Sequence, residues 1–208
     1  MIIKELTVGL IMANCFIVGC EETKESIVID PGGDVDKILM SLAEENLKIK
    51  YIVNTHGHVD HVAGNKAMKE ATGADILIHP LDEPMLSQVS ATAATFGFSA
   101  EDSPPADGKL EDGGLISFGN IALKVIHTPG HSLGGVSLFV DGSVFVGDTL
   151  FAGSIGRTDF PGGDYDILIS SIRNKLFVLG DDVKVFPGHM GMTTIGQEKR
   201  FNPFAGIS

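Results

Sequence analysis

The sequence predicts an α/β fold of two similar halves, in which two β-sheets pack together and the helices lie outside them. Two observations favour this fold class. Short apolar segments typical of strands alternate with amphipathic segments typical of helices, and the order of strands followed by helices occurs twice. Glycine is abundant, with 26 residues among 208, which is typical of a loop-rich α/β protein rather than a helical bundle. The length predicts a single domain over residues 1–208.

The first half begins with three strands and continues with helices and strands in turn. The turn Asp30-Pro31-Gly32-Gly33 ends the third strand, and Asp34 is placed to cap the helix that follows. The predicted strands are 2–8, 14–19, 26–29, 51–53 and 76–78. The predicted helices run to about residue 46, to about residue 72 before Gly73, and over 81–95. We expect a surface loop from 96 to about 112, since this segment is rich in Ser, Pro, Gly and acidic residues.

The second half repeats this order. The turns Gly119-Asn120 and Asp141-Gly142 suit hairpins between strands. The predicted strands are 115–118, 121–126, 136–140, 144–146 and 183–186. Asp164 is expected to cap a helix over about 165–179, and a loop-like tail is expected after the last strand.

Residues 55–61, Thr-His-Gly-His-Val-Asp-His, directly follow a short apolar strand. Three imidazoles and one carboxylate are too dense for an ordinary polar loop, and both groups are usual ligands of zinc, iron and manganese. Because residues alternate sides in an extended segment, His56 and His58 can share one ion. Asp60 and His61 fall where the next helix begins, so we expect them to point elsewhere and to serve a second ion.

Three further ligand candidates each follow the end of an apolar strand: His131, Asp148 and His189. Loops at one edge of a sheet framework commonly build functional sites. With the first cluster they supply enough ligands for two ions if Asp148 bridges, since a carboxylate has two oxygens. The ligands expected on one ion are His56, His58, His131 and Asp148. Those expected on the other ion are Asp60, His61, His189 and Asp148.

Three other residues have alternatives that stay open at this point. His127 is expected to be structural rather than a support for a ligand, since Pro129 and Gly130 prevent a helical pair with His131. His79, before Pro80 at a strand end, is expected to be structural. Asp30 either orients a ligating imidazole or serves only the turn that it begins.

Charge and cysteine content limit the partners and the compartment. The formal net charge of −12 argues against nucleic acid as a partner. Cys15 and Cys20 are expected to be buried, unpaired thiols of a reducing compartment. We find no signal peptide and no apolar run of about 18 residues, so the expectation is a cytoplasmic protein with no membrane partner. The sequence carries no signal for an oligomeric state.

The pattern H-x-H-x-D-H at residues 56–61, with His131, Asp148 and His189, resembles the metallo-β-lactamase superfamily. The resemblance extends from Asp30 to the end of the chain and implies a four-layer αββα sandwich with metals at one edge. Asp60 as a ligand, and Asp148 where some β-lactamases use Cys, resemble the glyoxalase II-like branch. Segments 153–164 and 193–204 are similar to small single-domain glyoxalase II-like hydrolases.

The resemblance implies a binuclear metal-dependent hydrolase of thioesters such as S-hydroxyacylglutathione. Zinc is the first choice for the two divalent ions, with iron or manganese as alternatives. A hydroxide that bridges the ions would attack the thioester carbonyl, with Asp60 and Asp148 in catalytic roles. Arg157 is the predicted cation for an anionic substrate group, the alternative being a structural role in its Gly-rich loop.

Two other activities compete with this prediction. Persulfide dioxygenases share the fold and the Gly-Arg-Thr-Asp-Phe segment, and one iron would lie on His56, His131 and Asp148. The segment 193–204 favours the hydrolase over this alternative. A metal-dependent nuclease would need a basic face, which the acidic charge argues against.

Overall fold

The computed structural model describes residues 1–207. They form two compact units; one six-stranded sheet lies in the first unit, and a second lies mainly in the second unit, with parts of two strands assigned to the first. The first unit comprises Met1–Leu110 and Ser117–Ala122, and the second comprises Glu111–Ile116 and the chain from Leu123 onward.

The sheet of the first unit is antiparallel at one side and parallel at the other. Its strands, in their order across the sheet, are β1 (Ile2–Val8), β2 (Ala13–Gly19), β3 (Glu25–Ile29), β4 (Lys48–Val53), β5 (Asp75–Ile78) and β6 (Gly108–Lys109). Pairing is antiparallel from β1 to β3 and parallel from β3 to β6. Because β3 and β4 are parallel neighbours, the loops that follow them lie at the same edge of the sheet.

Helices of the first unit join these strands: α1 (Val35–Glu44), α2 (Val59–Val62), α3 (Asn65–Thr72), a 3₁₀ helix (Glu83–Gln88) and α4 (Val89–Thr95). The core contains Ile17, Val28, Ile52 and Ile76 from the strands, packed with Ile38 of α1 and Met68 of α3. Full burial of one such side chain stabilises the fold by about 1.5–3 kcal/mol. This packing gives the loops after β3 and β4 a rigid base.

The sheet of the second unit has a parallel pair inside an otherwise antiparallel arrangement. Its strands, in order across the sheet, are β14 (Thr193–Thr194), β13 (Lys184–Pro187), β10 (Ser143–Gly147), β9 (Val136–Val140), β8 (Ile121–His127) and β7 (Leu115–Phe118). β10 runs parallel to β13 and antiparallel to β9, and β9 is antiparallel to β8. The strands β8, β10 and β13 therefore all end at one edge, where His131, Asp148 and His189 follow them.

A small hairpin and two helical segments complete the second unit. The hairpin is β11 (Leu150–Phe151) and β12 (Ser154–Ile155). The helix α5 (Tyr165–Ser171) continues through a π turn (Ile172–Leu176) and a 3₁₀ turn (Phe177–Leu179), and α6 (Ile195–Phe201) follows β14.

The structure corrects the sequence prediction in its tail. Residues 195–201 were expected in a loop but form α6, whose start is capped by Thr194 accepting from the amide of Gln197 at 3.2 Å. Gly196 lies inside this helix, where glycine is normally unfavourable. The structure accounts for this glycine, because a Cβ on it would lie 3.0 Å from the Cβ and the carbonyl oxygen of Asp181. The strands β6, β11, β12 and β14 were also missed, since two-residue strands leave no pattern of alternation.

The buried carboxylate of Glu198 holds the C-terminal segment in place. This carboxylate is 2% exposed. It accepts hydrogen bonds from Thr193 Oγ1 at 2.6 Å, Asn202 Nδ2 at 2.8 Å and the amide of Gly153 at 2.9 Å. Asn202 also donates to the carbonyl of Ser154 at 2.9 Å. The segment therefore fastens α6 to the turn of the β11–β12 hairpin.

The two predicted caps have different outcomes. Asp34 occupies the N-cap position of α1 but makes no capping bond, and its Oδ2 instead accepts from the amide of Gly9 at 2.9 Å. Asp164 is confirmed as the cap of α5, since its Oδ1 accepts from the amide of Ile167 at 2.9 Å.

We expect Asp164→Ala to lower the free energy of unfolding by about 1 kcal/mol, the usual effect of losing a side-chain cap. Urea unfolding followed by circular dichroism measures it. Asp164→Asn is the matched control, because the amide oxygen can still accept from Ile167. If both variants lost the same stability, the charge rather than the hydrogen bond would be responsible.

The cysteines are free thiols in the structure, and both are buried. Burial raises the pKa of Cys15 well above its usual value. Cys20 donates from Sγ to Oδ1 of Asn120 at 2.9 Å. Among residues 1–207, helices are too short or too polar to cross a membrane.

Candidate metal centre

The candidate ligands of the first unit lie at the ends of two neighbouring parallel strands. Asp30 follows β3, and residues 55–61 follow β4. The chain bends at Thr55 and His56, is extended at His58, which is the N-cap of α2, and enters this helix at Val59. The predicted start of a helix at the second pair of ligands is therefore confirmed.

Asp30 orients the loop that carries these ligands. Its side chain is buried, and its backbone has a positive φ of 52° that non-glycine residues rarely adopt. Oδ1 accepts from the amide of Thr55 at 2.7 Å. Oδ2 accepts from Thr55 Oγ1 at 2.6 Å and faces Nδ1 of His61 at 3.1 Å. Asp30 thus both begins the turn and supports an imidazole, so the two alternatives from the sequence hold together.

These hydrogen bonds define which nitrogen of each imidazole carries the proton. A carboxylate only accepts, so Nδ1 of His61 donates to Asp30 and Nε2 carries the lone pair. Thr55 Oγ1 uses its proton on Asp30, so in its 3.1 Å contact with Nδ1 of His56 the imidazole donates. His56 therefore also has its lone pair on Nε2, the arrangement found in histidines that bind metals.

The imidazoles of this unit lie closer together than the sequence suggested. The ring centroids of His56 and His58 are 4.8 Å apart, and those of His56 and His61 are 4.2 Å apart. His61 was expected to point away from His56, but the first turn of α2 folds back and brings its ring alongside. Nε2 of His61 lies 3.5 Å from Oδ2 of Asp60.

The sequence did not reveal the buried residues whose hydrogen bonds support this loop. The buried amides of Asn54 and Asn65 bond to each other at 2.8 and 3.2 Å, and Asn65 also donates to Ser103 Oγ at 3.1 Å. The buried carboxylate of Asp82 accepts from the amide of Gly57 at 3.0 Å. The sequence does not show that these polar side chains are buried beside the expected site, and only the fold reveals it.

Gly32 also supports the ligand loop through close approach. A Cβ on it would lie 1.6 Å from the carbonyl oxygen of Asp60. Only a residue without a side chain allows the turn after β3 to touch the backbone of α2 in this way.

The candidate ligands of the second unit meet around Asp148. Its Oδ2 lies 3.6 Å from Nε2 of His131 and 3.7 Å from Nε2 of His189. One oxygen is thus nearly equidistant from two imidazoles that the sequence assigned to different ions. We had expected the bridge to use both oxygens of the carboxylate.

His131 receives its support from the backbone. Its Nδ1 lies 2.7 Å from the carbonyl oxygen of Arg157, which can only accept, so Nδ1 donates and Nε2 carries the lone pair. Gly156, just before, has no room for a side chain, since a Cβ would lie 1.8 Å from the carbonyl oxygen of Asp148.

The distances within each unit fit metal coordination. Two ligand atoms about 2.1 Å from one tetrahedral ion lie about 3.4 Å apart. The three separations between a carboxylate oxygen and Nε2, 3.5, 3.6 and 3.7 Å, are close to this value. Since Nε2 carries the lone pair in His61 and His131, two acceptors face each other, and a cation between them makes that favourable.

The side chains of the remaining candidates make local hydrogen bonds in the structure. The guanidinium of Arg157 donates from Nε and from Nη2 to the carboxylate of Asp159, both at 2.7 Å. His127 contacts the carbonyl of Leu133 through Nε2 at 2.9 Å, and His79 accepts from the amide of Leu81 at 3.3 Å through Nδ1. The predicted structural roles of His127 and His79 are in agreement with these bonds.

Comparison with known proteins agrees with this architecture. Residues 8–189 match the family model of the metallo-β-lactamase superfamily. The chain belongs to the metallo-β-lactamase superfamily, whose members are metal-dependent hydrolases that bind divalent metals.

Within the superfamily it is a small glyoxalase II-like protein. It is 37% identical over 207 residues to hydroxyacylglutathione hydrolase GloC of Haemophilus influenzae, with 97% of each chain covered. It is 29% identical over 200 residues to the mitochondrial persulfide dioxygenase ETHE1 of Bos taurus, covering 93% of this chain and 71% of that one.

Two solved structures confirm the predicted fold class. The B3 metallo-β-lactamase BLEG-1 matches with a TM-score of 0.91 and 34% identity, covering 98% of this chain and 99% of that one. The di-iron-bound form of TTHA1623 matches with a TM-score of 0.89 and 35% identity, covering 97% of this chain and 99% of that one.

Proposed function

We propose that this protein is a binuclear metal-dependent hydrolase that cleaves thioesters such as S-hydroxyacylglutathione. The observation that carries the proposal is that three imidazoles have the same tautomer. His56, His61 and His131 each donate through Nδ1, so each keeps Nε2 as a ligand atom. Histidines whose other nitrogen donates to a fixed acceptor are typical of metal sites.

The proposed sharing of ligands follows from the sequence pattern and from membership of the superfamily. One ion is assigned to His56, His58, His131 and Asp148. The other is assigned to Asp60, His61, His189 and Asp148. The position of Asp148 Oδ2, between the Nε2 atoms of His131 and His189, supports the bridging role. Zinc is our first choice, and the di-iron form of TTHA1623 supports iron as the alternative.

Two divalent ions would supply a hydroxide near neutral pH and polarise the thioester carbonyl. The chain's own residues prepare this chemistry. Asp30 keeps a proton on Nδ1 of His61, and the Arg157 carbonyl keeps one on Nδ1 of His131. These acceptors fix the tautomer in which Nε2 of the neutral imidazole can bind a cation. A thiolate leaves readily, so the reaction requires no strong general acid from the protein.

The substrate class rests on the relatives. GloC is named a hydroxyacylglutathione hydrolase, and the coverage of 97% on both sides means that the two proteins share their whole domain. We propose a small-molecule thioester as the partner and a cytoplasmic location, with neither nucleic acid nor membrane as a partner. The net charge of −12 supports the absence of nucleic acid.

A persulfide dioxygenase is the second candidate, and the similarity to ETHE1 favours it. It would hold one iron on His56, His131 and Asp148. In that case Asp60 and His61 would carry no metal.

Metal analysis with parallel assays tests the proposal. We expect two ions per chain, and hydrolysis of S-lactoylglutathione with kcat/KM of about 10⁴ M⁻¹s⁻¹ or more. Oxygen uptake with glutathione persulfide and hydrolysis of a β-lactam are measured on the same preparation. One iron per chain with persulfide-dependent oxygen uptake, and no thioester cleavage, would replace the first candidate by the second.

A further inference from the structure

The side chain of Arg157 is paired with its own segment of the chain in the structure. Its guanidinium forms a bidentate ion pair with Asp159, both bonds being 2.7 Å long, and lies 3.7 Å from the centroid of the Phe160 ring. This pair involves residues only two positions apart. It therefore fixes a short segment of irregular chain rather than joining two elements.

The segment fixed by the ion pair carries the hydrogen-bond acceptor of His131. The carbonyl oxygen of Arg157 lies 2.7 Å from Nδ1 of His131. On the other side of this carbonyl, Gly156 is pressed against the carbonyl of Asp148, with no space for a Cβ. The peptide group that contains this carbonyl is thus fixed at both ends. Packing of Gly156 fixes the chain before it, and the ion pair to Asp159 fixes the chain after it.

The ion pair persists throughout the range in which the protein would work. Its hydrogen bonds to Arg157 lower the pKa of Asp159 to about 2, so the carboxylate stays ionised well below neutral pH. Bidentate geometry and the stacked ring distinguish the pair from ordinary surface ion pairs, whose effects are small. The two side chains are 52% and 67% exposed, so they can be replaced without opening the core.

We propose that Arg157 and Asp159 are positioning residues for His131: their ion pair holds the carbonyl oxygen of residue 157 on Nδ1 of the imidazole, and so aims Nε2 at Asp148. The proposal rests on the proposed function only in taking His131 as a metal ligand. It replaces the role of Arg157 as the cation that binds an anionic substrate.

The hydrogen bond itself can be measured in the zinc-loaded full-length protein. The imidazole Nδ1–H protons resolve in ¹H–¹⁵N spectra, and their exchange with water slows when they are hydrogen-bonded. In Asp159→Ala we expect the Nδ1–H of His131 to exchange about tenfold faster, with Asp159→Asn intermediate. The Nδ1–H of His61, which donates to Asp30 in the other unit, is the internal standard and should not change.

The affinity of the variants for zinc is a second measurement, and it does not depend on catalytic activity. Loss of a group that supports a ligand lowers metal affinity by about 10–100-fold, and for a group one step further away we expect about threefold to tenfold. Arg157→Ala and Asp159→Ala should lose the same amount in competition with a chelator. Asp181→Asn breaks a surface ion pair with Lys199 in the same unit and is the matched control, expected to change neither reading.

The substrate-binding role predicts a different result. It requires Arg157→Ala alone to raise KM for S-lactoylglutathione, with the exchange of the His131 proton and the zinc affinity unchanged. That result would overturn the proposal. Because exchange and zinc affinity need no substrate, a protein without thioesterase activity would fail the proposed function and still test this inference.

Discussion

Replacement of Asp30 by alanine is expected to lower the free energy of unfolding by about 3–5 kcal/mol and zinc affinity by about 10–100-fold. The carboxylate accepts from three buried donors: the amide of Thr55, Thr55 Oγ1 and Nδ1 of His61. Each donor left without an acceptor costs about 1–3 kcal/mol. The affinity falls because His61 and, through Thr55, His56 lose the groups that keep their protons on Nδ1.

Denaturant unfolding with a chelator present measures the stability, and competition titration measures the affinity. Asp30→Asn is the discriminating control. Its amide keeps an oxygen for the Thr55 amide but places a donor against Thr55 Oγ1 and His61, so it should lose affinity more than stability. Asp75→Ala removes an exposed carboxylate of the same unit and should change stability by about 0.5 kcal/mol at most. An Asp30→Asn variant that retained full zinc affinity would show that Asp30 does not orient the imidazoles.

Alanine at Gly32 or Gly156 is expected to reduce the proposed hydrolysis by about 100-fold, the effect of displacing a catalytic group by about 1 Å. The new Cβ would lie 1.6 Å from the carbonyl oxygen of Asp60 in the first variant, and 1.8 Å from that of Asp148 in the second. Backbone atoms cannot rotate away as a side chain can, so the segment that carries the ligand must move.

Kinetic assays and metal content of the purified variants measure this effect. Gly191→Ala is the matched control, because Gly191 has open space around it and no positive φ. A Gly156→Ala variant with wild-type activity and two ions per chain would mean that the position of Asp148 is less constrained than its contacts indicate.

Much of the fold could be predicted from the sequence because most strands have clear boundaries. The strands at 2–8, 115–118 and 136–140 have the predicted limits, since alternating or wholly apolar segments end there at turn residues. The helix expected over 81–95 begins instead as a 3₁₀ helix over Glu83–Gln88. Pro84 in its first turn removes one backbone donor, and periodicity of apolar residues does not distinguish the two helix types.

The candidate ligands could be predicted from the sequence because each follows the end of a strand, but their supports could not. Arg157 illustrates the reason. In the structure its carbonyl oxygen, which every residue possesses, contacts His131, whereas the sequence directed attention to its side chain. The roles of Asn54, Asn65 and Asp82 likewise depend on burial that only the folded chain creates.

The buried Glu198 has a consequence for the motions of the second unit. Glu198 accepts from Thr193 in β14, from Asn202 directly after α6 and from Gly153 in the hairpin turn, so none of the three can detach without leaving polar groups unpaired in the interior. The end of the chain and the hairpin should therefore open and close as one cooperative element. Fraying of α6 should therefore also loosen the β11–β12 hairpin, which leads into Gly156. In this way the order of α6 affects the order of the chain around His131.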